Sequence, residues 1–106
     1  MDVKQGREVV AQYRSLLQHL PKTKGPLDRP PAPREAMSHL HGMLDKMDEF
    51  LDEWDNPMRD IYEDPMGSWE KFNRWLGFVQ GVFWINGTFT LNQMRTHNRS
   101  NSSTES

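Results

Sequence analysis

Carboxylates are the side chains here whose spacing suggests chemistry. Between residues 45 and 64, nine Asp and Glu stand against two cations, Lys46 and Arg59. Within that block Glu49-x-x-Asp52 is followed by Asp60-x-x-Glu63. Two such pairs on adjacent helices would offer hard oxygen ligands to Mg²⁺ and hold a nucleotide's phosphates through it. The pattern lacks two parts, however. Asp60 and Glu63 fall in a proline-flanked loop, between Pro57 and Pro65, and no Lys or Arg cluster is placed to meet a triphosphate. The same carboxylates also read as a plain solvated helix face.

A third reading is recognition. A rigid helix studded with carboxylates imitates a phosphate backbone and would occupy a basic groove on a nucleic-acid enzyme. On that reading the contact residues are Asp45, Asp48, Glu49, Asp52 and Glu53, extended through the following loop by Asp55, Asp60 and Glu63. The metal reading would instead make the chain an all-helical, Mg²⁺-dependent enzyme of the nucleotide pyrophosphatase kind.

Other reactive side chains are less suggestive. His39 and His41 are two apart on a helix, which sends them to different faces, so they do not chelate one ion together. His41 and Asp45, four apart, share a face but have no third ligand at useful spacing, and a surface pair is the plainer reading. His97 and His19 each suit the C-terminal end of a helix. Ser15, Ser38 and Ser68 have no base within a helical turn, and there is no glycine-rich phosphate loop. No cofactor is implied.

The aromatic residues supply a second candidate surface. Trp54, Trp69, Trp75, Phe78, Phe83 and Trp84 are too bulky to fit one small interface together. One apolar patch is therefore expected to stay exposed or to form a dimer contact, with Trp75 and Trp84 as the candidates.

Length and composition bound what these residues can serve. A chain of 106 residues is one domain with a modest core. With no cysteine, disulfides and thiolate metal sites are excluded, which fits a reducing compartment. No apolar run approaches the about 18 residues of a membrane span, and the N-terminus lacks the apolar stretch of a signal peptide. The net charge of −2 conceals an asymmetry: residues 1–34 carry seven Lys and Arg against three acids. No long basic stripe exists, so direct nucleic-acid binding is not expected.

The elements that must position these residues are helical. Val9, Val10, Tyr13, Leu16, Leu17 and Leu20 make one stripe over residues 3–19, with Asp2 as N-cap and Pro21 as the stop. Residues 21–33 hold five of the seven prolines and read as an extended linker. Such a segment also suits the aromatic groove of a proline-binding domain. Met37, Leu40, Met43, Leu44, Met47, Phe50, Leu51 and Trp54 repeat every three or four positions over residues 34–54. Gly42 within them costs roughly 1 kcal/mol against Ala and suggests close approach of a partner helix.

Residues 55–66 read as a loop in which Met58, Ile61 and Tyr62 form an inward turn. A third helix, 67–85, is capped by Ser68 or Asp64. It carries two stripes, Trp69–Phe72–Leu76–Val79–Phe83 and Trp75–Phe78–Val82–Ile85, with Lys71, Arg74 and Gln80 as a narrow polar edge. Gly77 and Gly81 share one face and would let another helix pack close. Asn86-Gly87 stops it with Gly87 left-handed. Thr90-x-x-Gln93 is a capping box, with Phe89 and Met94 as staple, and it opens a short fourth helix over 91–98. Residues 99–106 are expected to be disordered.

The box Phe72-Asn-Arg-Trp-Leu-Gly-Phe-Val-Gln-Gly-Val82 with Trp84, then Gly87-Thr-Phe-Thr-Leu91 and Met94-Arg-Thr-His-Asn-Arg99, resembles that of small tailed-phage (prophage) accessory proteins. Those pair an NRWLGFxQGxxW helix with a short TLxxMRxHNR helix. The resemblance covers the last third of the chain, and the second helix loosely. It implies an accessory protein acting in the host cytoplasm, in a class that includes host-takeover factors and inhibitors of host defence.

The sequence thus predicts an all-α domain over residues 1–98, a small antiparallel bundle of three main helices plus a short fourth. Helices one and two are expected to run antiparallel to helix three. The expected function is non-enzymatic: binding a host protein or complex and blocking or redirecting it, with homodimerisation or a purely structural role as further possibilities.

Overall fold

The computed structural model describes residues 1–59 and 66–99. Four helices follow in order: α1 (Val3–Leu17), α2 (Pro33–Asp55), α3 (Gly67–Ile85) and α4 (Leu91–Asn98), with no strand among the described residues. None of these helices is long and apolar enough to cross a membrane.

Each boundary has a local cause. The Asp2 carboxylate accepts the Gln5 N–H at 2.8 Å and opens α1. That helix ends at Leu17, earlier than its stripe suggests, where the Leu20 N–H turns back to the Leu17 carbonyl. Pro21 biases Leu20 away from helical backbone. Helix α2 starts at Pro33 itself, because a first helical residue needs no N–H donor. Glu35 then reaches back to the Ala32 N–H at 2.9 Å and pairs with Arg29. The Arg29 guanidinium, followed by that N–H, holds the Glu35 carboxyl down to about 2.

Helix α3 has Met66 at its N-cap with no side-chain cap, and Ser68 donates instead to the Glu53 carboxylate at 2.8 Å. Asp64, Ile61 and Tyr62 lie outside the described residues, as do 100–106 of the tail. At the other end, Gly87 takes φ 75°. Its N–H bonds Trp84 O at 3.0 Å, and the Thr88 N–H bonds Phe83 O at 2.8 Å, closing a Schellman turn. Thr90 and Gln93 make the reciprocal capping box of α4, at 3.1 and 2.8 Å.

The topology is up-down-up. Arg7 reaches Asp52 and Arg14 reaches Asp48, so α1 and α2 are antiparallel. Ser68 meets Glu53 and Asn86 lies near Met37, so α2 and α3 are antiparallel too. Helix α1 therefore runs parallel to α3, against the sequence expectation: Gly6 lies beside Phe72, and Tyr13 beside Phe83. Two successive reversals leave no other direction for the third helix.

The core draws on all three. Val9, Val10, Tyr13 and Leu17 of α1 meet Leu40, Leu44, Met47 and Leu51 of α2 and Phe72, Leu76, Val79 and Phe83 of α3. Each such side chain buried contributes about 1.5–3 kcal/mol. Gly42 admits the linker and no helix: a Cβ there would stand 3.3 Å from Thr23 O.

Candidate functional site

The acidic face of α2 is met by the basic N-terminal third of the same chain. Asp45 pairs with Arg14 at 3.1 Å and Lys22 at 2.9 Å, and Asp48 with Arg14 at 2.7 Å. Arg7 pairs with Asp52 at 2.8 Å and approaches Asp55 at 3.8 Å. Glu49 takes Lys46, and Glu53 takes the Ser68 hydroxyl. Lys22, helped by Arg14, keeps the Asp45 carboxyl below its ordinary value. The charge asymmetry along the sequence is thus largely internal complementarity between α1 with its linker and α2. Glu49, Asp52 and Asp55 still keep 59%, 66% and 65% of their side chains in water. Asp60 and Glu63 lie outside the described residues, and with them the second carboxylate pair of the metal reading. Among the described residues no three His, Asp or Glu side chains come together as a metal site.

The histidines have structural partners. His41 is buried and donates from Nδ1 to Leu20 O at 2.8 Å, which corrects its reading as a surface group paired with Asp45. A carbonyl only accepts, so this nitrogen carries the proton. His39 accepts the Gly25 N–H at 3.1 Å. Together they lay the linker along α2.

The two tryptophans proposed as exposed behave differently. Trp75 is half-buried, its ring edge-on to Phe50 at 5.1 Å. Trp84 is 49% exposed. It belongs to an outward face of α3 that also presents Phe78, 55% exposed, and Ile85, 74% exposed. Gly77 and Gly81 lie on the same side, and a Cβ built on either meets nothing within 4 Å. No other helix among the described residues uses that gap. A shallow groove of about 670 Å³ runs beside it, between Pro31, Pro33 and Ala36 on one bank and Phe78, Val82 and Ile85 on the other. This face is apolar because α3 is apolar nearly all round, whereas α2 covers one side only.

One cluster was not foreseen from the sequence. Gln80, read there as polar edge, is buried. Its amide donates to the Tyr13 hydroxyl at 2.9 Å and exchanges two bonds with Asn98, at 2.8 and 3.2 Å. The Tyr13 oxygen meets His97 Nδ1 at 2.8 Å, and Gln5 donates to His97 O at 2.8 Å. Burial pushes the Tyr13 hydroxyl pKa up, against Gln80, and pushes the His97 imidazole down. The cluster ties α4 to α1 and α3. The ring of Phe83 packs on Tyr13, and the ring of Phe89 packs on both Tyr13 and His97.

Compared with protein-family models, curated proteins and solved structures, the chain matches none.

Proposed function

We propose that this chain is a non-enzymatic binding module that engages a partner protein with the outward face of α3, an apolar helix or loop of that partner lying along Phe78, Gly81, Trp84 and Ile85. The observation that carries this reading is the contrast between the two candidate surfaces. The α2 carboxylates are engaged within the chain, while the α3 face exposes large apolar side chains beside two open glycines. Contiguous apolar exposure of this kind marks interaction sites on small proteins. Taken with the phage resemblance of the C-terminal box, the partner is a protein of the bacterial host, which the chain blocks or redirects in the cytoplasm.

The acidic face is the second candidate contact, favoured by the solvent-facing Glu49, Asp52 and Asp55. One experiment separates the two. The tagged protein is used to capture partners from a bacterial lysate, beside Phe78→Arg/Ile85→Arg and Asp52→Arg/Asp55→Arg variants. Loss of a specific partner in the first variant alone supports the α3 face. Loss in the second alone, with steep salt dependence, moves the contact to α2. Turnover of a nucleoside triphosphate in Mg²⁺ by the wild-type protein would replace both with the enzymatic reading.

A further inference from the structure

We infer that the outward face of α3, when no partner protein covers it, seats a second copy of the chain in an antiparallel two-fold dimer crossing between Phe78 and Gly81; this rests on the binding reading above, and the two occupants exclude each other.

The face is complementary to itself. Along α3, Arg74, Phe78, Gly81 and Ile85 fall on one outward row, all exposed. In an antiparallel pair centred between Phe78 and Gly81, the ring of Phe78 in each copy drops over Gly81 of the other. Knob and hole are both present on one chain, as an isologous contact requires. The hole is open, because nothing lies within 4 Å of a Cβ built at Gly81. Small residues at such a crossing let two helix backbones approach closely.

Charge selects the antiparallel direction. A parallel pair would set Arg74 against Arg74 and Lys71 against Lys71. The antiparallel register places Arg74 opposite Ile85 and beside the Trp84 ring, where a guanidinium gains a cation–π contact. It also separates the two Arg74 residues by roughly 16 Å along the axes, beyond a Debye length at physiological salt. Among the described residues Arg74 has no ion pair of its own to give up.

Area sets the strength. Phe78 and Trp84, each about half exposed, with Ile85, offer roughly 350 Å² of apolar surface per copy. A stable dimer buries about 800 Å² per partner. The apolar patch is thus the centre of an interface whose rim comes from Arg74, Asn86 and the Pro31–Pro33 bank. An interface of that size gives a dimer that dissociates on dilution.

The test is sedimentation equilibrium on the purified full chain from about 5 to 500 μM. The expected result is a weight-average mass that climbs from 12.5 kDa toward twice that value. Gly81→Gln is the decisive variant. It fills the hole with a good helix former in open space, so its thermal midpoint at low concentration should match or exceed wild type. Its dimer should weaken on the order of tenfold or more. Phe78→Arg should do the same by removing the knob. A wild-type chain that stays at monomer mass throughout overturns the dimer, as does a folded Gly81→Gln variant that associates like wild type. A monomeric chain that still captures a host protein through Phe78 and Ile85 would remove self-association alone. Absence of any capture by a chain that does dimerise would instead remove the host-binding reading.

Discussion

The hydroxyl of Tyr13 lies 2.8 Å from Nδ1 of His97 and joins the middle of α1 to the last turn of α4. Gln80 donates to the same oxygen, so the Tyr13 proton is left to point at the imidazole. His97 then carries its own proton on Nε2 and is neutral. Phe89 stacks edge-on against that ring at 4.6 Å, and the Tyr13 ring packs on Phe83 at 4.8 Å. Without these contacts α4, only eight residues long, would be too short to hold a helix.

Tyr13→Phe keeps the ring packing and deletes the shared hydroxyl. His97 Nδ1 loses its donor, and one Gln80 N–H loses an acceptor inside the core. The cost is expected at about 1 kcal/mol or somewhat more, since unsatisfied buried groups forfeit solvation as well as the bond. A urea titration should show a lower midpoint with an unchanged slope. Amide exchange in α4 should rise more than in α2.

The burial of His97 in this cluster makes stability depend on pH. Burial lowers the His97 value below its ordinary 6.5. The folded chain therefore binds its proton less readily than the unfolded chain. This contribution is fully present above about pH 6.5 and is lost as pH falls from there through the lower folded value. Protonation would also put an N–H against the Tyr13 oxygen, which already accepts from Gln80. The urea midpoint of wild type should decline over that window, and His97→Asn should flatten the decline. An NMR titration should place the His97 transition below the ordinary 6.5.

The ion pairs between α1 and α2 should be modest individually. Arg14 with Asp48 is the best placed, at 2.7 Å with both side chains about two-thirds covered. Arg14→Glu or Asp48→Arg alone is expected to cost about 0.2–1 kcal/mol beyond the neutral replacement, and the double swap to recover part of it, because Asp45 also faces position 14. The coupling, read from a double-mutant cycle in denaturant, should shrink in high salt. Charge reversal of the α2 face to probe partner binding must be read against this stability effect.

Most of the fold was legible because its signals are local. Asp2, Gly87 and the Thr90/Gln93 box act within a few residues, and the apolar stripes of α1 and α2 follow the helical period. Four of the five residues of the first α3 stripe, Phe72 to Phe83, are buried as that period demands. What escaped the sequence depends on three-dimensional pairing. Gln80 looks like surface until Tyr13 and Asn98 converge on it, and His41 looks like a surface group until the linker folds back onto α2. The parallel sense of α1 and α3 follows from two chain reversals, which no stripe records. The acidic block looked like a free surface because the cations of α1 and the linker that meet it lie 23 to 48 residues away in the chain. Trp84 was foreseen as exposed, but its neighbours Phe78 and Ile85 were expected to share a stripe with Trp75, which turns inward onto Phe50.

Two helical glycines should respond to alanine with opposite signs. Gly77 lies on the outward face of α3, where an added Cβ meets nothing within 4 Å. Gly77→Ala removes the entropic cost of glycine in a helix interior and should stabilise by about 0.5–1 kcal/mol. Gly6 is buried where α1 crosses α3. A Cβ there would stand 3.1 Å from the ring of Phe72 and 3.4 Å from Leu51. Both neighbours are fully enclosed, so the ring cannot swing into solvent. Overpacking costs about 1–3 kcal/mol, which outweighs the helix-propensity gain, so Gly6→Ala should destabilise. Thermal melts at low protein concentration should move up for Gly77→Ala and down for Gly6→Ala. A rise for both would mean that α1 and α3 do not meet at Phe72, and the parallel packing of those helices would have to be redrawn.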